Sequence, residues 1–412
     1  MEKLPVLKRT IYVIMLYCIL FYPPLVIGGY RIYGYQIVRL FAVIYLLGNL
    51  DRFAVFFRKF SSEIILMIAI IAYSFFRFVS GGAPDLFLQD LIGAMTLIIV
   101  PFFIIDYGRK LKIDSVEQMS KYLIITTTVA MVISMAAFFV PEIHYFIKYR
   151  IVQYGSMGFT EGFDQRGFGW GLLMTSSYSF VIAMIIAIGL YYGKNKKWLL
   201  IFVPVALFVC LINARTGVLI GLVGLVLFFF GSGRFTYSLI ALLVGIIVYS
   251  NLNSILGLLT QGNEATNAWI MVGVEESIAY SGGNFSEGTM GTLLEQIFIP
   301  NSVGGVLFGE GESLFGRNSF NLHSDIGFVN QLYYGGIIYC IMLYSLVGMI
   351  CRRLLKNGQK ILSIFIIITF FIVNFKGQFV FCTPEMGLTM LVYYTIFIYG
   401  SSSQYNKSIA IN

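Results

Sequence analysis

Apolar side chains occur along this chain in long runs that are separated by short polar segments. A helix needs about 20 apolar residues to cross the hydrocarbon of a bilayer, and most of the runs are near that length. The pattern therefore predicts twelve transmembrane helices, two of them separated only by Asn213–Thr216. The predicted helices span 10–29, 36–50, 62–79, 88–105, 119–140, 171–192, 198–213, 216–231, 235–253, 324–350, 361–375 and 386–400.

The composition excludes a soluble protein. Apolar residues make up 58% of the 412 residues, charged residues make up 12%, and the mean hydropathy is +0.83, whereas soluble domains carry roughly 25% charged residues. We expect an all-α polytopic membrane protein in which residues 1–412 form a single helical bundle. The first run follows basic residues as in a signal peptide, but it lacks a small-residue cleavage site, so we expect a retained signal-anchor helix.

The distribution of lysine and arginine predicts the orientation. With a cytoplasmic amino terminus, 19 of the 28 basic residues lie in cytoplasmic segments, as the positive-inside rule requires. A miscounted span would invert every later loop, so the distribution supports an even number of spans with both termini in the cytoplasm. The 19 residues are Lys3, Lys8, Arg9, Arg52, Arg58, Lys59, Arg109, Lys110, Lys112, Lys121, Lys194, Lys196, Lys197, Arg234, Arg352, Arg353, Lys356, Lys360 and Lys407.

Two long segments are predicted outside the cytoplasm, 141–170 and 256–322. The second is acidic, with seven glutamates and a single arginine, Arg317. Segments of this length without a span are usually functional or disordered. Apolar stretches at Ala268–Val274 and Met290–Ile299 predict short helices at the outer surface.

Arg215 lies just before the eighth predicted span, in the turn Asn213-Ala-Arg-Thr-Gly217. An arginine fork binds phosphate through two hydrogen bonds and keeps its charge. The amino terminus of the following helix points to the same outer side and also favours an anion. An interfacial anchor or a salt-bridge partner explains the arginine equally well. The spacing Gly217-x-x-x-Gly221 predicts close helix packing.

His323 precedes the tenth predicted span, in Asn321-Leu-His-Ser-Asp-Ile-Gly327. Ser324 or Asn321 is expected to cap that helix, and Asp325 to lie in its first turn. An imidazole at this helix end can orient or deprotonate a hydroxyl near neutral pH. A solvated loop histidine is the alternative.

The stretch Glu161-Gly-Phe-Asp-Gln-Arg-Gly-Phe-Gly-Trp170 combines charges, glycines and aromatic residues. Aromatic faces stack on sugar rings, and carboxylates bind sugar hydroxyls. Arg166, with Lys148 and Arg150 upstream, could bind an anionic head group. An interfacial aromatic belt with snorkelling cations explains the same residues.

Several classes of chemistry have no signature in the sequence. It contains no Walker motif, no dinucleotide fingerprint and no HExxH, and neither a cofactor nor a metal is expected. The five cysteines lack metal-ligand spacing, and the acidic turn Gly309-Glu-Gly-Glu312 offers too few fixed ligands. Charges within the spans are scarce, Arg39 being the main one, which disfavours an ion-coupled transporter.

Two local patterns, together with the architecture, resemble a known family. One is Asn213-Ala-Arg215-Thr-Gly217 at the start of a span. The other is Leu307-Phe-Gly-Glu-Gly311, then His323-Ser-Asp325-Ile-Gly-Phe-Val, then Tyr334-Gly-Gly-Ile-Ile338. With about twelve spans and one large outer loop late in the chain, they resemble bacterial O-antigen or capsular polysaccharide polymerases of the Wzy type, which are related to the O-antigen ligases.

The resemblance implies a substrate and a reaction. The substrate would be an oligosaccharide repeat unit on undecaprenyl pyrophosphate at the outer face of the cytoplasmic membrane. The enzyme would transfer the growing glycan from its lipid carrier to a new repeat unit without a metal. A flippase and a chain-length regulator of the same pathway would be its partners, and no nucleic acid is expected.

The resemblance also implies roles for particular residues. Arg215 would stabilise the leaving pyrophosphate, and His323 would orient or activate the attacking hydroxyl, so both are expected to be catalytic. The base could instead be a carboxylate, Glu161, Asp164 or Asp325. The residues expected to bind substrate are Arg150, Arg166, Glu161, Asp164, Asp325 and Arg317.

Three other functions remain open from the sequence. An O-antigen ligase would share the same patterns and deliver glycan to another acceptor. A lipid-linked oligosaccharide flippase should have a charged central cavity and short loops, unlike the long segment 256–322. A peptidoglycan polymerase of the shape-and-division type usually has fewer spans, and its motifs are absent here.

Overall fold

The structure, a computed structural model, is built almost entirely of α-helices. It describes residues 3–27, 30–151, 167–171, 175–192, 199–231, 268, 270–273, 275–276, 279, 283, 288–315, 318–377 and 383–400. The elements in chain order are α1 (Lys3–Phe21), β1 (Pro24–Ile27), β2 (Tyr30–Tyr33), α2 (Gly34–Leu47), α3 (Leu50–Lys59), α4 (Ser61–Val79), α5 (Pro84–Lys110), α6 (Val116–Phe139), α7 (Pro141–Tyr145), a π-helix (Phe146–Ile151), α8 (Thr175–Tyr192), α9 (Leu199–Asn213), α10 (Arg215–Gly231), α11 (Gly288–Glu295), α12 (Val303–Phe308), α13 (Gly327–Lys356), α14 (Lys360–Lys376) and α15 (Pro384–Gly400).

Most of the predicted runs are confirmed as helices to within a few residues. The first run differs, because α1 ends at Phe21 and the chain continues into an antiparallel hairpin of β1 and β2 that pairs Leu25 with Ile32. Pro23 and Pro24 lack the backbone N–H that a helix interior requires, which accounts for the early end. The run 235–253 lies outside the described residues.

The described helices support several membrane crossings. Four of them are long and apolar enough to cross a bilayer, at Ser61–Val79, Leu86–Lys110, Val116–Phe139 and Gly327–Lys356, and the pair α2–α3, bent by 102°, makes a fifth if it is one span. The apolar parts of α8, α9 and α10 are shorter, 10–17 residues. The described residues thus form an almost entirely helical protein with the features of a multi-pass membrane protein, and these helices do not establish the predicted count of twelve.

The chain forms two compact units. Unit 1 comprises Met1–Tyr12, Gln36–Met119 and Ser286–Asn412, and unit 2 comprises Val13–Tyr35 and Ser120–Phe285. In unit 1, α4 packs against α5 and α13, α13 packs against α14, and α15 packs against α5. Aromatic side chains fill part of this core: the rings of Phe56 and Phe60 pack against Tyr394 at centroid distances of 4.8 and 4.4 Å.

A buried ion pair lies at the amino-terminal end of α4, in unit 1. Glu63 is fully buried, and one nitrogen of the Arg353 guanidinium donates to both carboxylate oxygens at 2.7 and 2.8 Å. The Tyr393 hydroxyl donates to the same carboxylate at 2.5 Å. The guanidinium also lies 5.5 Å from the ring centroid of Phe60. Glu63 of α4 thereby joins α13 to α15.

Removal of Arg353 is expected to destabilise the protein, because Glu63 would remain buried without its cation. Breaking such a pair costs roughly 3–5 kcal/mol. We expect Arg353→Leu to lower the temperature of half-aggregation in detergent by roughly 5–10 °C. Arg352→Leu, at the exposed neighbouring position, is the matched control and should have little effect. Equal thermal stability of the two variants would contradict a stabilising role for the pair.

In unit 2, α8, α9 and α10 pack closely on one another. A side chain added at Gly217 would lie within 2.5 Å of the Ser179 Cβ, and one added at Gly221 within 2.8 Å of a Leu207 methyl group. The close packing predicted from Gly217-x-x-x-Gly221 is therefore confirmed. Trp170 donates its indole N–H to the Pro24 carbonyl at 3.0 Å, which fixes the hairpin within the same unit.

Candidate functional site

His323 and Asp325 form an exposed pair just before α13. The His323 Nε2 lies 3.1 Å from the Asp325 Oδ1, and 55% of the histidine side chain is exposed. The ring centroid of Phe315 lies 6.0 Å from that of the imidazole. A carboxylate at this distance accepts a hydrogen bond from Nε2 and fixes the orientation of the ring. The second ring nitrogen can therefore accept a proton from a ligand.

The segment that carries this pair is held by backbone and side-chain hydrogen bonds. Gln296 accepts a bond from the Ser324 hydroxyl at 2.9 Å with its carbonyl, and from the Asp325 N–H at 2.7 Å with its side chain. Asn330, buried in the first turn of α13, donates to the Ser324 carbonyl at 2.8 Å. Ser324 is itself fully buried. Gln296, just beyond the end of α11, and Asn330 of α13 thus hold the segment that carries His323.

The predicted cap of this helix is wrong. α13 begins at Gly327, its cap residue is Ile326, and no side chain caps it. The Ser324 hydroxyl donates to the Gln296 carbonyl and accepts the Ile326 N–H. Asn321 is a left-handed loop residue with φ 53°, and Asp325 precedes the first turn. The Asp325 carboxylate does not cap α13 and instead contacts the His323 ring.

A strap of six residues, Gly309–Leu314, connects this segment to a break in α13. Gly336 interrupts that helix with φ 67° and ψ −169°. The freed carbonyl of Tyr333 accepts the Glu310 N–H at 2.6 Å, and that of Tyr334 accepts the Gly311 N–H at 3.1 Å. At the other end of the strap, the Leu314 carbonyl accepts the Ser324 N–H at 3.1 Å. The strap is therefore fixed at both ends.

The close approach at the break requires glycine on both sides. Gly309 has φ 79°, and a Cβ added to it would lie within 2.6 Å of backbone atoms of Tyr334, Gly335 and Gly336. A Cβ on Gly336 would meet the Leu307 carbonyl at a similar distance. The three segments singled out in the sequence, 307–311, 323–329 and 334–338, thus meet in one small region of unit 1.

Two side chains of α4 support the strap, and neither was selected from the sequence. The Arg77 guanidinium donates to the Gly309 carbonyl at 2.8 Å, and the Tyr73 hydroxyl donates to the Gly335 carbonyl at 2.8 Å. Just beyond α4, the Ala83 N–H donates to the Gly311 carbonyl at 2.8 Å. In the sequence, Arg77 is a single arginine near the carboxyl end of an apolar run, and that position indicated a candidate polar contact.

Asp90 is a second residue that sequence reasoning missed. It lies in α5, is 6% exposed, and accepts hydrogen bonds from the hydroxyls of Ser74 and Tyr339. The prediction that Arg39 is the main charge within the spans is therefore incomplete. A lone acid within an apolar run is a functional candidate by default, and that signal was present in the sequence.

Arg215 lies in unit 2 and is the first residue of α10, which begins one residue before the predicted span. Its Nη1 is 3.5 Å from the Glu276 Oε2, with 26% of the arginine and 17% of the glutamate side chain exposed. Gly273 packs directly on the guanidinium, since an added Cβ there would overlap it. Asn213, just before it, is buried and donates to the Val209 carbonyl at 2.9 Å. The arginine is thus partly enclosed and held by an acidic residue of the second long segment.

An apolar cluster near Arg215 joins both long segments within unit 2. Ile147 of the π-helix, Phe168, Ile212 at the end of α9 and Ile270 are all buried in it. Ile212 lies three residues before Arg215, and Ile270 lies three residues before Gly273, which packs on the Arg215 guanidinium. The segment 141–170 and the segment 256–322 therefore contribute to one region of the unit.

The cations of the segment 141–170 differ in their surroundings. Arg150, predicted to bind substrate, is exposed, whereas Lys148 is only 4% exposed. The ring centroids of His144 and Phe168 lie 4.5 Å apart.

Of the other predicted site residues, Glu161, Asp164, Arg166 and Arg317 lie outside the described residues.

Each unit contains one pair of polar side chains that includes a predicted site residue. His323 and Asp325 are paired in unit 1, and Arg215 and Glu276 are paired in unit 2. Across the part of the chain that the structure describes, no three metal-ligating side chains converge. No protein-family model matches the chain, and no curated protein matches it. The fold and the two polar sites therefore define a helical protein of multi-pass character with paired polar residues at helix ends.

Proposed function

We propose that this protein polymerises lipid-linked oligosaccharide repeat units at the outer face of the cytoplasmic membrane. It transfers the growing glycan from undecaprenyl pyrophosphate to a new repeat unit, yielding O-antigen, capsular polysaccharide or exopolysaccharide. The observation that carries the proposal is the convergence of 307–311, 323–329 and 334–338 on the strap, with His323 exposed beside Asp325. These are the segments whose sequences resemble the Wzy-type polymerases.

The proposed topology has twelve spans with both termini in the cytoplasm. It places the carboxyl end of α4 and the amino ends of α5, α10 and α13 on the outer side. The count of basic residues supports this orientation. Both Arg215 and His323 then face the leaflet that presents the lipid-linked substrate.

In the proposed reaction a hydroxyl of the acceptor sugar attacks the anomeric carbon of the donor glycan. The bond from that carbon to the pyrophosphate oxygen breaks, and undecaprenyl pyrophosphate leaves with the electron pair. His323 accepts the hydroxyl proton, and Asp325 stabilises the resulting imidazolium. Arg215 stabilises the negative charge that develops on the leaving group.

The Arg215–Glu276 pair supports the role of Arg215. A guanidinium that already holds a carboxylate at 3.5 Å in a partly enclosed site has the geometry to hold a phosphate oxygen instead. A pyrophosphate carries more charge than one carboxylate, and it can displace the glutamate. Glu276 would then compete with the substrate for the arginine.

A ligase or a flippase remains the second candidate function. A ligase would use the same groups on a different acceptor. A flippase is favoured by one observation, the buried carboxyl of Asp90 in α5, because charged groups at membrane depth often mark a transport path.

Loss of the protein from its host distinguishes these functions. If it is a polymerase, cells without it should accumulate single repeat units on undecaprenyl pyrophosphate, exposed on the outer leaflet. Their accessibility to an added glycosidase in intact spheroplasts measures the leaflet. Units trapped on the cytoplasmic leaflet would support the flippase and contradict our proposal. Full-length polymer that stays on undecaprenyl pyrophosphate and does not reach its final acceptor would support the ligase.

A further inference from the structure

The carboxyl of Asp90 occupies a position where an acid is costly. It lies six residues beyond the start of α5 and is 6% exposed, and burial of a charge in an apolar interior is strongly unfavourable unless hydrogen bonds compensate. Tyr339 of α13 donates its hydroxyl to both oxygens, at 3.0 and 2.9 Å, and Ser74 of α4 donates to the second. The acid thus joins three helices.

Tyr339 connects this acid to the break in α13. It lies three residues beyond Gly336, and its ring packs at 5.1 Å between centroids against Tyr334, whose carbonyl binds the strap. Tyr73 of α4 also donates to the Gly335 carbonyl. Hydroxyl groups therefore fix α13 to α4 at the break and to α5 just beyond it.

The strap extends that connection to His323. It binds the carbonyls of Tyr333 and Tyr334 at one end and the Ser324 N–H at the other. Because the strap is held at both ends, a shift of α13 at the break would move Ser324 and the adjacent imidazole. The continuous path runs from Asp90 through Tyr339 and the strap to His323.

We propose that Asp90 is a positioning residue for His323, acting through the Tyr339 hydroxyl and the strap. The proposal rests on the proposed function only for its activity measurement. Leucine at position 90 would keep the approximate size of the side chain and remove the acceptor. Asparagine would keep an oxygen that accepts the Tyr339 hydrogen bond.

The test compares the variants Asp90→Leu, Asp90→Asn, Tyr339→Phe and the double variant Asp90→Leu/Tyr339→Phe as full-length protein in detergent. The matched controls are Asp106→Leu and Tyr45→Phe, since Asp106 is a second buried acid of α5 that accepts a tyrosine hydroxyl, at 2.6 Å, and has no contact with the strap in the described structure. The probe is the lipid-linked single repeat unit extracted from cells that lack this protein. Hydrogen exchange of the strap amides is measured in parallel.

We expect Asp90→Leu and Tyr339→Phe each to lower kcat roughly tenfold or more while KM stays within about twofold. The double variant should be no worse than either single one, because both remove the same bond. Asp90→Asn should retain most of the activity. Exchange at Glu310 and Gly311 should accelerate in Asp90→Leu and Tyr339→Phe and remain unchanged in the Asp106 and Tyr45 controls.

The proposal would be overturned by additive losses in the double variant, by a raised KM with unchanged kcat, or by strap exchange that does not differ from the Asp106→Leu control. If the wild-type protein does not elongate the probe while strap exchange still responds to Asp90 and Tyr339, the proposed polymerase function fails and the coupling of Asp90 to the strap is supported. Wild-type kcat in Asp90→Leu would overturn the positioning role and leave the polymerase standing.

Discussion

Cells carrying His323→Ala are expected to make single lipid-linked repeat units and no polymer. A positioned acid or base contributes about 10²–10⁴-fold to a rate, so the variant should lose at least 99% of chain elongation in purified form. Insertion and folding should be unaffected, because His323 is exposed and its neighbours Ser324 and Asn330 hold the segment without it. Polymer length on a gel and elongation of extracted repeat units are the two measurements.

The companion variants define what His323 does. Asp325→Asn should lower activity less than His323→Ala, because the amide still orients the ring and cannot stabilise its charge. Ser319→Ala, at an exposed position of the same segment, should elongate normally. Polymer of normal length from His323→Ala would exclude the histidine from the chemistry.

Arg215→Ala should abolish polymer formation to a similar extent. Removal of one group that stabilises developing negative charge costs about 10²–10³-fold in kcat, and here the charge is that of a departing pyrophosphate. Arg215→Lys should retain only part of the rate, since an ammonium lacks the planar fork that binds two phosphate oxygens. Arg58→Ala, an exposed arginine of α3, controls for the loss of one positive charge.

Glu276 provides the sharper test of Arg215. If the glutamate competes with pyrophosphate, Glu276→Gln should lower the KM for the lipid-linked unit, whereas a purely structural ion pair would give a destabilised protein with unchanged KM. Gly273→Ala should act in the opposite direction, because the added methyl group would displace the guanidinium. Elongation by Arg215→Ala at the wild-type rate would remove the arginine from the mechanism.

The helices could be predicted from the sequence because a membrane helix is specified by length and apolarity alone. The runs at 62–79 and 361–375 were confirmed as α4 and α14 within two residues. The turn before α10 is shorter than predicted, since one residue, Ala214, separates α9 from α10 where the apolar runs predicted the four residues Asn213–Thr216. The hairpin after α1 was missed because its first strand, Pro24–Ile27, is as apolar as a span, although Pro23 and Pro24 indicated the end of the helix.

The polar contacts could not be predicted, because they join residues far apart in the chain. Asp90 and Tyr339 are 249 positions apart, and Arg353 and Glu63 are 290 apart. The sequence indicates that an acid in an apolar run needs a partner, but not which hydroxyl or cation reaches it. The cap at Ser324 failed for the same reason, since the distant Gln296 takes the serine hydroxyl and leaves the helix uncapped.

The break at Gly336 has a stereochemical consequence. Its backbone and that of Gly309 lie in the region of conformational space that L-amino acids avoid and their mirror images prefer. Chemical synthesis could therefore replace either glycine by a D-residue without backbone strain, and the remaining obstacle would be the space its methyl group needs. The two glycines therefore satisfy a conformational requirement, a positive φ, as well as a requirement for a small residue. Glycine is the one achiral amino acid among the twenty, and it meets both requirements.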